Sequence, residues 1–272
     1  MDKETALQII AKTKDDYNRM AAEFARTRGG LPQDLLDLKR HIVKGEKVLD
    51  LGCGNGRFSE LFDADDYVGA DVSEELVKIA QTKYPLKKFA VLDAPDIVER
   101  STFSVQRENT KSDTQRAAGL PFQDGTFDKV FCLAVIHHIP SAEFRRAFLA
   151  EAKRVLKPGG LLILTAWYLL DKPKIWRELA KMALLKIAGR NKMDLGDILV
   201  PFKDSTGKVL AERYVHVFSV AGLRRLVESS ELRVARSHSD RHGGLPSADL
   251  AIQSAQLVSR GRNRNVEVVG RK

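Results

Sequence analysis

Residues 47–71 do most to restrict what this chain can become. Lys47 to Leu51 is a short apolar run of the kind that forms a buried strand, and it leads directly into glycines at alternate positions, Gly52, Gly54 and Gly56. Without a Cβ at these positions the backbone can turn sharply and bring its N–H groups close to a ligand. A second apolar run, Tyr67 to Ala70, ends in Asp71, 19 positions after Gly52. An acid at that point accepts hydrogen bonds from both hydroxyls of a ribose. Strand, glycine turn, helix, strand and acid, in that order, predict a nucleoside-cofactor site.

The rest of the chain is read around that site. At 272 residues there is room for one large α/β domain with additions. Lys and Arg number 45 against 36 acids, a formal net charge of +9, which suits a polyanionic partner and also simply aids solubility. The two cysteines, Cys53 in the glycine turn and Cys132 in an apolar run, make neither a disulfide framework nor a metal set. The start MDKETALQII has no leader pattern, and no stretch reaches a membrane span. A cytoplasmic protein without membrane contact is expected.

Residues 2–28 read as a helical arm, with Leu7, Ile10, Tyr17, Met20, Ala21 and Phe24 at roughly helical spacing and a stop at Gly29 and Gly30. A second helix is predicted from Asp34 to Ile42. Ser73 is an N-cap for a helix to Lys83, and Phe89 to Leu92 is a third strand followed by Asp93. Pro95 to Ala117 is polar and aperiodic, an inserted loop. A strand from Val130 to Ile136 then delivers His137 and His138 to the carboxyl edge of the sheet, where ligands bind in open parallel sheets. Adjacent histidines on a strand cannot both face one ligand, and His138 is assigned to the pocket. A helix from Ser141 leads through Lys157, Pro158, Gly159 and Gly160 to a strand from Leu161 to Thr165. Pro173 to Ala188 is a basic amphipathic helix, read either as a phosphate-contacting face or pocket lid or as an ordinary surface helix. Glu212 to Phe218 and Val266 to Val269 complete the strands, with a second irregular stretch from Ser239 to Ser259.

These blocks resemble the class I S-adenosylmethionine-dependent methyltransferases, whose first motif has the form DLGCGxG and whose later marks include LKPGGLLIL. The resemblance implies a Rossmann-like α/β fold with a seven-stranded, mostly parallel sheet and helices on both faces. An N-terminal helical arm (1–44) precedes the methyltransferase domain (45–272), with insertions near 95–117, 171–210 and 239–259, the second of them helical and following the fifth strand. It further implies that Gly52, Gly54 and Gly56 wrap the methionine end of S-adenosylmethionine, with Asp50 and Cys53 also cofactor-binding, that Asp71 holds the ribose and that Asp93 reads the adenine amino group; an alternative alignment puts Arg116 at that last position.

YNRMAAEFARTR, LAVIHHI, DILVPF and ERYVHVFSVAGL are similar to segments of the tRNA wobble-uridine methyltransferases that esterify 5-carboxymethyluridine. That resemblance covers most of residues 16–226. It implies tRNA as partner, a small zinc-binding activator subunit as in the eukaryotic relatives, and substrate contacts from Tyr17, Arg28, Tyr214 and His216, with Arg28, His138 and Arg213 as catalytic groups. The family's usual Trp after the valine–proline pair is Phe202 here. A carboxylate acceptor is already ionised at neutral pH and needs orientation rather than a base, which arginines provide; a hydroxyl acceptor would make His138 the base. A small-molecule methyltransferase is the competing reading. A non-catalytic binding module and a nicotinamide dehydrogenase are remoter ones, the former because a fold freed from its cofactor has no need of three alternate glycines.

Overall fold

The structure is a computed structural model of the chain and describes residues 1–93, 95, 97, 119–234, 256–259 and 264–272. The strands are β1 (Val48–Leu51), β2 (Tyr67–Asp71), β3 (Lys88–Val91), β4 (Phe127–Leu133), β5 (Leu156–Tyr168), β6 (Asp197–Lys203), β7 (Val209–His216), β8 (Arg233–Val234), β9 (Gln256–Ser259) and β10 (Arg264–Arg271). The helices are α1 (Lys3–Arg26), α2 (Gln33–Asp37), α3 (Glu74–Lys83), α4 (Ala142–Val155), α5 (Pro173–Ile187) and α6 (Val220–Glu228). The main sheet runs β3-β2-β1-β4-β5-β10-β8, with β9 also paired to β10. β1 to β5 are parallel to one another, and β10 is antiparallel to β5, β8 and β9. A parallel sheet with β1 and β4 adjacent reverses direction of strand order there, which opens a crevice at their carboxyl ends.

Both faces of the sheet's central strands are covered, so these are largely apolar while still alternating. Leu49, Leu51, Val130, Cys132, Leu162 and Leu164 face α4 and α6 through Phe144, Phe148, Ala152, Leu223 and Val227. Val48, Tyr67, Phe131 and Ile163 face Leu38, Phe58 and Phe62 on the other side. Serine caps set the helix starts: Ser73 Oγ accepts from Leu76 N, Ser141 Oγ from Phe144 N and Ser219 Oγ from Gly222 N.

The helix expected directly after the glycine turn is a short 3-10 turn, Arg57–Leu61. Gly56 is left-handed at φ +74°, and the ten residues before β2 must also sink Phe58 and Phe62 into the core, which leaves no room for a longer helix. The second predicted helix is likewise split into α2 and a 3-10 turn, Leu38–His41. β6 was not foreseen, because Pro201 reads as a strand breaker; it is tolerated since β6 pairs only with β7 in a separate two-stranded sheet. The stretch between β5 and β7 therefore holds α5 and half of a hairpin. The irregular runs near 95–117 and 239–259, with Arg116, fall almost wholly outside the described residues. Among the described residues no helix is long and apolar enough to cross a membrane.

α1 lies across the crevice mouth and is tied at both sides. Ser73 Oγ donates to Asn18 Oδ1 at 2.7 Å, Lys14 pairs with Glu74 at 2.7 Å, and Lys12 Nζ donates to the Glu212 carbonyl at 3.0 Å. Met20 buries against Phe202 and Ala211 of the hairpin.

Candidate active site

The crevice at the carboxyl ends of β1, β2 and β4 has a volume of about 460 Å³. Its floor is the glycine turn. Gly52 N and Cys53 N both donate to the Ala70 carbonyl, and Gly54 N donates to Asp71 Oδ2 at 2.8 Å. Gly52 sits at φ +88°, and a Cβ there would lie 2.1 Å from Val135 Cγ2. At Gly54, φ +55°, the nearest neighbour of a Cβ is the Phe24 ring at 3.5 Å, so a side chain would project into the crevice. Cys53 lines the same floor, its thiol pushed well up by burial. Gly56 does not face the crevice. Its missing Cβ makes room for Ala80 and Phe89, each 2.9 Å from where one would stand, so it is a packing glycine.

Asp71 accepts from Gly54 N and Ser73 N, one bond to each oxygen, and lines the crevice with acceptor capacity left on both. Burial raises its pKa and those backbone bonds oppose the rise. Asp50, 2 % exposed, accepts from Tyr67 Oη at 2.7 Å, yet burial still pushes its carboxyl up to about 7. Asp93 is corrected by the structure: it is exposed beyond the end of β3 and does not line the crevice, whereas Leu92 and Ile97 do. With Val72 they form an apolar wall suited to a planar ring. Two acids, a glycine cradle and an apolar slot fit S-adenosylmethionine, whose ribose hydroxyls suit Asp71 and whose cationic end suits Asp50.

The opposite wall comes from α1, the loop after β4, β5 and the β6–β7 hairpin. His137 and His138 lie in a 3-10 turn, Ile136–His138, after the left-handed Ala134 at φ +58°. His138 lines the crevice, and His137 is wholly buried behind it, 4.6 Å from the Trp167 ring with neither nitrogen partnered. His138 Nδ1 lies 2.7 Å from the Tyr214 carbonyl, so that nitrogen carries the proton and donates; Nε2 then accepts from Tyr17 Oη at 3.0 Å. Burial lowers the His138 imidazole to about 4, only partly offset by the Tyr214 bond. It is a neutral link between arm and hairpin, with its free lone pair already engaged.

Arg28 lines the crevice, its guanidinium 4.0 Å over the Phe24 ring. Arg213, 7 % exposed, stacks 4.8 Å over Trp167, which lines the crevice, and its Nε and Nη1 have no partner. Both arginine charges oppose the burial that raises the Tyr17 phenol. Tyr214 and His216 are turned away from the crevice. Tyr214 is buried and reaches the site only through its carbonyl, while His216 Nδ1 is held 2.7 Å from Asp197 Oδ1 at the start of β6. Sequence reasoning missed Trp167 as part of this wall; Phe202, noted in the sequence only as standing in place of the family's Trp, lies beside Arg28 and Arg213. Trp167 had a usable signal, an aromatic residue at the carboxyl end of a central strand.

Residues 49–164 match the profile of a methyltransferase domain family. An Arabidopsis thaliana tRNA (carboxymethyluridine(34)-5-O)-methyltransferase is 27% identical over 151 residues, covering 56% of this chain and 31% of that protein. The chain thus spans less than a third of that relative's length. A methyltransferase of Encephalitozoon cuniculi is 28% identical over 80% of this chain and 85% of its own length. Yeast sterol 24-C-methyltransferase is 31% identical over 50% of this chain and 31% of its own. Among solved structures, a Methanosarcina mazei S-adenosylmethionine-dependent methyltransferase superposes with a TM-score of 0.56 at 21% identity, covering 89% of this chain and 98% of that one. The methyltransferase from the complex with the Haloferax volcanii Trm112 activator gives 0.51 at 18% identity, covering 95% and 96%. Fold, glycine cradle and sequence profile agree: residues 49–164 carry a methyltransferase domain whose crevice fits S-adenosylmethionine.

Proposed function

We propose that this protein methylates a carboxylate oxygen, the acceptor being a carboxymethyl group on the wobble uridine of tRNA. The observation that carries the proposal is Arg213. A buried guanidinium whose Nε and Nη1 have no partner is costly, and among the described residues no carboxylate pairs with it. An acceptor carboxylate at the Trp167 wall would repay that cost and be oriented by a planar fork of donors. When bound, S-adenosylmethionine supplies a methyl carbon that an oxygen lone pair displaces from sulfur, with no proton transferred.

His138 supports the same conclusion. Burial holds its imidazole down at about 4, which makes it a weak base toward a hydroxyl acceptor, and its Nε2 lone pair is already engaged by Tyr17 Oη. A carboxylate needs no base. Orientation is the remaining task, and near-attack placement supplies roughly 7 to 11 kcal/mol in favourable systems. The names of the similar plant and animal tRNA methyltransferases support the wobble uridine as the carrier of the carboxylate.

In this reading residues 1–44 act as an arm that closes the crevice of domain 45–272, through the Tyr17–His138–Tyr214 link. The enzyme is cytoplasmic and works with a small activator subunit, a partner suggested by the activator-bound Haloferax volcanii fold neighbour. Similarity to a sterol methyltransferase favours a small-molecule acceptor as the second reading. Transfer of radiolabelled methyl, in parallel into tRNA and into a small-molecule extract from a strain lacking the gene, separates the two. Label in tRNA is expected; label confined to the extract would overturn the tRNA assignment.

A further inference from the structure

α5 is the element that the methyl-transfer site leaves unused. None of its residues lines the crevice, so it is not a pocket lid. One face packs inward: Ile175, Leu179 and Met182 meet Leu169, Ile198 and Val215. A second apolar stripe is left on the outside. Trp176, Leu184 and Ile187 are 57 %, 67 % and 83 % exposed and, with exposed Ala180, stand at i, i+4, i+8 and i+11, one face of the helix over about 16 Å. Apolar residues exposed singly need no account, but a row along one helix does. The Trp176 indole is fixed in place by its Nε1–H, which donates to the Leu170 carbonyl at 3.0 Å.

Positive charge runs beside this stripe. Lys174, Arg177 and Lys181 are exposed at i, i+3 and i+7, the adjoining face, and residues 171–192 carry seven Lys and Arg against two acids. Charge and shape together select the occupant. An RNA backbone would use the cations but offers nothing to the aliphatic Leu184 and Ile187. A second copy would bring the same positive face against this one. An acidic protein groove that encloses a helix needs it accessible on several sides, and here the inner side is already packed. An anionic lipid surface needs one side only: apolar side chains and an aromatic ring enter the headgroup layer while neighbouring Lys and Arg meet its phosphates.

We infer that the outer face of α5 binds the surface of a membrane rich in anionic lipid, with Trp176, Leu184 and Ile187 entering the headgroup layer and Lys174, Arg177 and Lys181 at its phosphates. The contact is peripheral, since among the described residues no helix is long and apolar enough to cross a membrane. The expectation of no membrane contact rested on a missing leader and a missing span, neither of which a surface contact needs. The inference does not depend on which acceptor the crevice takes.

The test is flotation of the full chain with vesicles of phosphatidylcholine alone and with about 30 mol % phosphatidylserine added, with tryptophan emission read in parallel. The anionic vesicles should bind about tenfold or more tighter than the neutral ones and lose that margin as salt rises. The chain has two tryptophans and Trp167 lies in the crevice, so a blue shift on binding should come from Trp176. Trp176→Phe should abolish that shift and keep most of the binding. Leu184→Glu with Ile187→Glu, and separately Lys174→Glu with Arg177→Glu, should each weaken binding about tenfold or more. All four side chains are exposed, so thermal stability and S-adenosylhomocysteine affinity should match the wild type. Failure to float with anionic vesicles, equal binding to neutral ones, or binding that survives both double substitutions overturns the inference. So does tRNA binding or a dimer, in place of vesicle binding, that is lost with Leu184→Glu and Ile187→Glu, because the face then belongs to RNA or to a second copy.

Discussion

Asp50 should make cofactor affinity depend on pH in a range where most carboxylates are silent. Its carboxyl is raised from 3.8 to about 7 by burial, against the help of the Tyr67 hydroxyl. The empty fold therefore holds a proton that the unfolded chain releases, and this contributes stability that is full below about pH 4 and lost as pH rises through 7. The shift corresponds to about 4 kcal/mol. A cationic ligand reverses the balance by favouring the ionised carboxylate. If S-adenosylmethionine binds only that form, its affinity should weaken about tenfold from pH 8 to pH 6, and binding at pH 7 should release about half a proton. Calorimetry in buffers of different ionisation enthalpy reads both quantities. Tyr67→Phe removes a hydrogen bond to the charged form, worth about 1.5 to 3 kcal/mol, so it should move the transition up by about one to two pH units. Asp50→Asn should abolish the pH dependence. Affinity that is flat from pH 6 to 8, with no proton released, would refute this account of Asp50.

Three further outcomes are expected. Asp71→Ala removes both the ribose acceptor and the anchor of Gly54 N, and should weaken S-adenosylmethionine binding by about a hundredfold or more; near wild-type affinity by calorimetry would contradict the ribose assignment. Gly52→Ala places a Cβ 2.1 Å from Val135 in a left-handed backbone that alone costs about 1 to 2 kcal/mol, so both thermal stability and cofactor binding should fall, whereas Gly56→Ala should show mainly as lost stability. His138→Gln keeps a side-chain amide near Tyr17 and the Tyr214 carbonyl, and turnover should drop by less than about tenfold; a loss of 10² to 10⁴ would identify a general base after all.

What the chain revealed before folding was what lies within a few residues of itself. Gly52, Gly54 and Asp71 were legible because strand, turn and acid follow one another, and the turn is closed by bonds between its own residues and β2. Gly56 carries the same signature but answers a packing demand from Ala80 and Phe89, which spacing alone does not display. Asp93 was misplaced for the opposite reason: proximity to β3 brought it near the crevice in sequence, while the wall is closed by Leu92 and Ile97. The acceptor side was the least legible. Arg213, Trp167, Phe202 and Arg28 come from β7, β5, β6 and the end of α1, and only the fold of the hairpin against the arm stacks them. Tyr214 and His216 belong to the same strand as Arg213, yet neither side chain faces the crevice.

A buried Arg213 without a carboxylate partner is proposed to hold a carboxylate for methylation. The most direct measurement is the alkali stability of methyl label transferred from S-adenosylmethionine into tRNA from a strain lacking the gene, with the wobble nucleoside identified by mass spectrometry. Label released by mild alkali, on a wobble nucleoside that has gained one methyl ester, is the predicted result. Label that resists alkali, on base or ribose, would contradict it.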